Sequence, residues 1–150
     1  MAALALIRLS YHLNELVLRV DGRRAVEAFG AALVQHPVGF ATSLLALDFV
    51  HRGPAELALI GAPDDPRTAA LERSLESRFV PYAVYGHHDP AAGESSLPLL
   101  QDKALVGGAP ALYPCRDYTC RLPVTDPAEV PRVLSILGYA EMRNPMPARR

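Results

Sequence analysis

The hydrophobic pattern of this chain changes its period at residues 51–54, and that change limits what each part can fold into. Before His51-Arg52-Gly53-Pro54, apolar residues recur every three to four positions, which is the spacing of amphipathic helices. After it, short apolar runs end at glycines and flank a capped helical segment. We therefore predict a mixed α and α/β fold, with a helical segment over residues 1–53 and a small α/β region with a C-terminal helix over residues 54–150.

Three helices are predicted in the first part. They are expected from Ala2 to Val20, from about Arg23 to Gln35, and from about Val38 to Val50. Asp21-Gly22 is the predicted break between the first two. His36-Pro37 ends the second, because proline pushes the preceding residue out of helical geometry.

The third predicted helix is apolar on two sides. Phe40, Leu44 and Leu47 fall on one stripe, and Leu45 and Phe49 fall on another. The first helix also starts at full hydrophobicity, with no Ser, Thr, Asp or Asn to cap it. We therefore expect these helices to sit inside a larger ring. On this interpretation the chain is the C-terminal part of a larger protein and holds no complete active site of its own.

A βαβ unit is predicted in the second part. The strands are Glu56–Ile60 and Val80–Tyr85, and the helix between them begins after Asp65, a good N-cap residue that precedes a proline. Such a unit has parallel strands and a right-handed crossover. Pro81 near the start of the second strand favours an edge position, since proline cannot donate to a neighbouring strand.

A third strand and a last helix complete the predicted α/β region. The strand runs from Ala111 to Pro114, which makes a small three-stranded, mostly parallel sheet. The helix is expected to begin at Asp126 as N-cap, with Glu129 placed to close a capping box. Its apolar face has helical spacing and consists of Val130, Val133, Leu134 and Leu137.

Charge and composition exclude several classes of function. The formal net charge is −1, which gives no electrostatic basis for binding nucleic acid or an anionic membrane surface. No apolar run approaches the roughly 18 residues that a membrane span needs. Two cysteines in the chain do not make the framework of a disulfide-rich secreted domain. The predicted location is the cytoplasm.

The most specific chemical feature is the pair Cys115 and Cys120 at the end of the third strand. Arg116 and Arg121 follow the two cysteines directly, and a neighbouring cation lowers the pKa of a thiol. Efficient dithiol exchange usually has two residues between the cysteines, whereas this motif has four. The pair is therefore open to two interpretations, structural thiols in a packed turn or a reversible redox pair.

A zinc half-site is the third interpretation of the cysteines. Zinc would need two further ligands, and His87 with His88 is the obvious source. Adjacent histidines on a strand point to opposite faces, so both would bind one metal only from a loop. The sequence assigns no catalytic residue and no cofactor beyond this zinc alternative.

The residues around the cysteines resemble a known C-terminal signature. The run from Ala111 to Cys115, continued from Cys120 to Pro127, is similar to the end of thioredoxin-domain-containing proteins related to the spermatogenesis-associated thioredoxin-like protein of animals. Upstream, Ser43–Phe49 and Glu56–Gly61 follow the same order of elements. The resemblance covers about residues 2–137, although Pro114 stands where a β-branched residue is expected.

The resemblance implies a fold and a set of partners. In that family a thioredoxin-like domain precedes an (α/α)₆ toroid similar to N-acylglucosamine 2-epimerases and six-hairpin glycosidases. Residues 2–50 would then be the last barrel helices of a protein with a redox-associated or carbohydrate-related role. The expected partner is the missing N-terminal barrel and thioredoxin-like portion, from the same gene or a split one, or a second copy bound through helices 1–50.

Two alternatives to that function come from other classes. The chain would be a free-standing α/β interaction module, or a small redox or zinc protein that uses Cys115 and Cys120. An interaction module should bury the apolar faces of its helices, whereas a part of a larger barrel should leave them exposed.

Overall fold

The computed structural model describes residues 1–139. The chain divides into two compact units, Met1–Pro54 and Ala55–Arg150, within one residue of the predicted boundary. The first unit is helical, and the second combines helices with a sheet. No helix within residues 1–139 is long and apolar enough to cross a membrane.

The helical unit contains four α-helices. They are α1 (Ala2–Leu13), α2 (Leu16–Glu27), α3 (Gly30–Gln35) and α4 (Ala41–Arg52). A 3₁₀ turn at Pro37–Phe40 leads into α4, so the third predicted helix is present with a tighter first turn. Its buried side is formed by Ala46 and Phe49.

The predicted break at Asp21-Gly22 is wrong, because α1 ends seven positions earlier, at Asn14. Asn14 adopts a left-handed conformation with φ of 54°, which asparagine tolerates, and its backbone N–H donates to the Ser10 carbonyl. Gly22 instead lies buried inside α2. A Cβ atom there would come within 2.8 Å of Ile7 Cγ1, so this glycine serves the close packing of α1 and α2.

The second predicted helix, Arg23 to Gln35, is also divided differently. Its first residues continue α2, which ends at Glu27, and the chain turns at Ala28 and Phe29 before α3 begins. Gly30 follows this turn directly, but an isolated glycine within a helical pattern is only a weak signal for a break.

Within residues 55–139, the α/β unit contains a four-stranded sheet and two α-helices. In chain order they are β1 (Ala55–Ile60), α5 (Pro66–Glu76), β2 (Ala83–His88), β3 (Ala111–Arg116), β4 (Thr119–Cys120) and α6 (Val130–Ile136).

The strand order is β2-β1-β3-β4. β1 and β2 are parallel, which confirms the βαβ prediction, and β2 is an edge strand. It runs three residues later than the predicted Val80–Tyr85, so Pro81 lies before the strand. β3 is antiparallel to β1, and β4 is antiparallel to β3. The prediction of a three-stranded, mostly parallel sheet is therefore wrong. Residues 89–110 contain a 3₁₀ turn at Pro90–Ala92 but no α-helix, so the connection to β3 lacks the crossover helix that usually joins parallel strands.

The main core lies between one face of the sheet and the helices α5 and α6. Leu57 and Leu59 of β1 pack there with Leu71 of α5 and Leu134 of α6. All four residues of the predicted apolar face of α6 are buried, which confirms that pattern. Glu56, Ala58 and Ile60 point to the opposite face, because side chains alternate along a strand.

Two predicted helix starts are confirmed as caps. The Asp65 carboxylate accepts a hydrogen bond from the backbone N–H of Arg67 at 2.8 Å, and α5 begins at the next residue after Asp65. The Asp126 carboxylate accepts from the Ala128 N–H at 2.9 Å. That second cap starts a 3₁₀ turn at Pro127–Glu129, and Glu129 pairs with Arg132 instead of closing a capping box.

Candidate functional site

Cys115 and Cys120 are direct cross-strand partners in the hairpin formed by β3 and β4. They are joined by a disulfide bond in this structure. Both side chains lie on the same face of the sheet, since paired residues of antiparallel strands share a face. The pair therefore has the geometry of an oxidised dithiol.

The turn of this hairpin is a tight two-residue connection. Asp117 and Tyr118 have φ values of 49° and 60°, between the paired residues Arg116 and Thr119. Positive φ at both central positions is the pattern of a type I′ turn, whose twist matches that of the strands. Such turns usually contain asparagine and glycine, so a tyrosine there carries backbone strain.

The two sulfur-bearing residues differ in exposure. Cys115 is 1% exposed, whereas Cys120 is open to solvent. Cys120 is therefore the more accessible residue of the pair, and attack by a thiol there would make Cys115 the leaving group. This asymmetry is what a dithiol pair needs to form one defined mixed disulfide.

Glu56 extends the cysteine row onto the neighbouring strand. It is the register partner of Cys115 on β1 and is 1% exposed. Its Oε2 accepts a hydrogen bond from the backbone N–H of Tyr118 at 3.0 Å. A buried carboxylate is thus connected directly to the turn between the two cysteines.

Lys103 supplies positive charge near this carboxylate. Burial lowers the pKa of Lys103, and the charges of Asp102 and Glu56 oppose that lowering. The Tyr113 hydroxyl donates to the Ala104 carbonyl at 2.8 Å and so ties the Lys103 loop to β3. When Glu56 is ionised, its negative charge is therefore partly balanced by the neighbouring ammonium group.

The two predicted arginines have different environments. Arg116 Nη2 donates to the Leu137 carbonyl oxygen at 2.5 Å, so its guanidinium group holds the end of α6. Arg121 is exposed beside Cys120, and its backbone N–H donates to the Pro114 carbonyl at 2.9 Å. Of the two, Arg121 is the better candidate to stabilise a thiolate at Cys120.

His87 and His88 lie on β2, at the other edge of the sheet. Cys115 pairs with Glu56 on β1, whereas His88 pairs with Ile60 at the other end of that strand. The strand spacing and the rise per residue therefore separate Cys115 from His88 by roughly 15 Å. His87 and His88 each bond a backbone carbonyl through Nε2, that of Gly61 and that of Gly93, both at 2.9 Å. The structure thus does not bring these histidines to the cysteines.

Metal ligands are not grouped elsewhere in the part of the chain that the structure describes. Within it, no three His, Cys, Asp or Glu side chains are placed to hold one metal ion. A polar cavity of about 380 Å³ does contain His88, Glu94, Ser95 and Lys103 in its lining. Its charges are of both signs, and it indicates no particular ligand.

Glu56 and Lys103 are site residues that the sequence analysis did not identify. Glu56 did leave a signal, because it is a charged residue at the start of the otherwise apolar run Glu56–Ile60. A charge within a fully buried strand is rare unless it has a partner or a function. Lys103 left none, since it lies in an irregular loop.

The helical unit carries a second feature, which we name the apolar helical groove. It has a volume of about 470 Å³. Val34 in its lining is 84% exposed, and neighbouring Val38 is 91% exposed. The lining consists of Val26, Glu27, Gly30, Leu33, Val34, Pro37, Leu44 and Leu47. The lining is apolar except for Glu27, and several of its side chains are exposed to solvent.

Comparison with known proteins adds no assignment to this geometry. A scan against models of protein families found no match, and searches of curated proteins and of solved structures found none either. The resemblance to thioredoxin-linked barrel proteins therefore stays a prediction from the sequence. The function has to be argued from the hairpin and the groove themselves.

Proposed function

We propose that the chain has a redox-associated function, in which the Cys115–Cys120 disulfide is reduced by a dithiol partner and reoxidised. The observation that carries this proposal is the unequal exposure of the two cysteines across one hairpin. If the protein is cytoplasmic, as its sequence predicts, a disulfide there is usually catalytic or sensory.

The exchange is balanced in atoms and electrons. A thiolate of the dithiol partner attacks Sγ of Cys120, the bond between the two cysteines breaks, and Cys115 leaves with the electron pair. The second thiolate of the partner then attacks the partner's own sulfur in the mixed disulfide and releases Cys120. Two electrons pass to the chain, the partner becomes a disulfide, and its two protons end on the two thiols.

The hairpin has enough backbone hydrogen bonds to stay in place when the disulfide opens. Leu112 and Val124 exchange two hydrogen bonds of 2.8 Å, and the Arg121 N–H donates to Pro114. The cysteines are five residues apart, so the loop they close contributes only about 2 kcal/mol by the chain-entropy estimate. The pair is therefore suited to cycling without unfolding of the α/β unit.

Redox titration tests this function on the intact chain. Equilibration with mixtures of oxidised and reduced dithiothreitol should convert no thiols into two in one step, while the far-ultraviolet circular dichroism stays constant. The Cys115→Ser chain should form a mixed disulfide with oxidised glutathione, releasing one reduced glutathione, faster than Cys120→Ser, because it keeps the exposed thiol. A disulfide that opens only when the protein is denatured would show a purely structural bond.

We also propose that the helical unit docks onto the rest of a larger protein. The apolar helical groove supports this, since its walls are helices with exposed valines and leucines. Following the resemblance, the occupant is the preceding helices of an (α/α)₆ barrel with its thioredoxin-like portion. The carbohydrate-related role implied by the resemblance would belong to that partner.

The docking proposal has its own experiment. A neighbouring reading frame that encodes a thioredoxin-like domain and the earlier barrel helices would supply the partner, and its product should copurify with a tagged chain. Val34→Lys, which places a charge in the groove, should abolish that complex. A complex that survives this substitution would place the interface elsewhere.

A further inference from the structure

We propose that Glu56 is the proton carrier for Cys115, giving a proton to its sulfur when the disulfide opens and removing it when the disulfide closes. This inference rests on the reversible disulfide proposed above and names a side chain that makes it work. Glu56 would touch the reacting sulfur and so act as a general acid and base.

The register of the sheet places the two groups together. Glu56 and Cys115 are direct partners on β1 and β3, and such pairs have Cβ atoms about 4.5–5.5 Å apart on one face. The glutamate side chain reaches across this spacing, because its Oε2 is bonded to the Tyr118 N–H in the turn beyond Cys115. Its path from β1 to the turn therefore runs beside the disulfide.

A proton carrier is needed because Cys115 is buried. Cys115 is 1% exposed, so a thiolate formed there is poorly solvated and water has little access to protonate it. When the bond between the cysteines breaks, the carboxyl O–H of Glu56 breaks and the S–H bond of Cys115 forms. The remaining carboxylate is stabilised by the Tyr118 N–H and the charge of Lys103. The proton lost to solvent by the partner's thiol restores Glu56.

Several other groups lie around the carboxyl group of Glu56. β2 places Val84 opposite Glu56, and the hairpin turn contributes the exposed Asp117. Lys103 is the cation that faces Glu56 from the preceding loop. The Tyr113 carbonyl oxygen lies 3.7 Å from Cys115 Sγ and has no proton to give. It can accept a hydrogen bond from the Cys115 S–H once the thiol has formed.

Glu56→Gln is the direct test, because glutamine keeps an acceptor for the Tyr118 N–H and loses the acid. The rate of reduction by dithiothreitol should fall by at least about tenfold. This expected factor is smaller than the rate factor that a general acid typically contributes. The pH profile of the wild-type rate should contain one titration that the variant lacks. Asp117→Asn is the matched control, since it removes an exposed carboxylate in the same turn and should reduce at the wild-type rate.

A second measurement does not depend on the folding of a variant. In the reduced wild-type chain, the Cβ chemical shift of carbon-13-labelled Cys115 should follow pH in two steps, because two coupled groups titrate together. A single step, or equal rates and pH profiles for wild type and Glu56→Gln, would refute the role of Glu56 while the cycling disulfide stands. A wild-type disulfide that never cycles would instead refute the proposed function itself.

Discussion

His12 shows how burial of one side chain sets a pH dependence. It lies in α1, where burial lowers its pKa below 6.5 and the charge of Arg8 lowers it further. As pH falls below 6.5, the unfolded chain binds a proton at His12 before the folded chain does. The contribution of His12 to stability is thus fully present above 6.5 and is lost as pH falls towards the folded pKa.

His12→Gln should flatten this pH dependence. Urea unfolding followed by circular dichroism should show that the wild-type helical unit loses stability below pH 6.5 and that the variant loses less. His36→Gln is the control, because it replaces an exposed histidine outside α1 and should unfold like the wild type. A variant with the wild-type pH dependence would show that His12 is not the group responsible.

The residues of the candidate site were predictable to different degrees. The cysteine pair and the cap residues Asp65 and Asp126 were found because their signals are local in sequence. Glu56 was missed as a site residue because its meaning depends on which strand lies beside Cys115, and that strand is distant in the chain. The structure does not bring His87 and His88 to the cysteines, since the strand order places β1 between β2 and β3.

At the scale of elements, the contact between α1 and α2 depends on the absence of a side chain at Gly22. A Cβ atom there would lie 2.8 Å from Ile7 Cγ1 and 2.9 Å from the Ala3 carbonyl oxygen. The second contact is with backbone, which cannot move without shifting α1. At this position, the packing of α1 against α2 therefore outweighs the intrinsic preference of a helix for alanine over glycine.

Gly22→Ala should destabilise the chain although it improves helix propensity. The propensity gain is about 1 kcal/mol, whereas forcing two packed helices apart costs about 1–3 kcal/mol. Gly30→Ala is the matched control at the start of α3, where an added Cβ meets no atom within 4 Å and should stabilise the chain slightly. Urea denaturation of both variants gives the comparison, and equal stabilities would contradict the close approach.

The turn between β3 and β4 offers a second test of the structure. Tyr118 has φ of 60°, a left-handed conformation that glycine adopts readily and that β-branched residues strongly resist. With the disulfide intact, Tyr118→Gly should match the wild type or exceed its stability by about 1 kcal/mol. Tyr118→Val should be clearly less stable, while Thr119→Val on the adjacent strand should change little. Urea midpoints rank the four chains, and a stable Tyr118→Val would argue against this turn.

The helices and strands also differ in how well they could be predicted from the sequence. The unit β1-α5-β2 was predicted because a capped helix between two apolar runs determines its own topology. The direction of β3 was not, because residues 89–110 have neither a helical nor a strand period. The turn at Ala28 and Phe29 was missed although Gly30 follows it directly, because an isolated glycine within a helical pattern is a weak signal for a break.

At the scale of the whole molecule, the helical unit exposes many large apolar side chains. Monomers seldom expose contiguous apolar patches of more than a few hundred Å². Here the exposed large apolar residues of the helices include Leu16, Val17, Phe29, Val34, Val38, Leu44 and Leu45. The two-sided apolar pattern of Phe40–Phe49 predicted this exposure of apolar side chains, since a helix that is apolar on two sides needs two layers of neighbours.

The isolated chain should therefore cover this surface with a second copy of itself. Size-exclusion chromatography with light scattering should show a mass that rises with concentration, because burial of apolar area is worth about 25 cal/mol per Å². Val34→Lys should shift the chain towards monomer without loss of helicity, since Val34 is 84% exposed and makes no core contact that a charge would break. Leu122→Lys, at a residue 87% exposed in the α/β unit, should associate like the wild type. A wild-type chain that stays monomeric and binds no hydrophobic dye would show that the groove is too small to need a partner, and the docking proposal would fail with it.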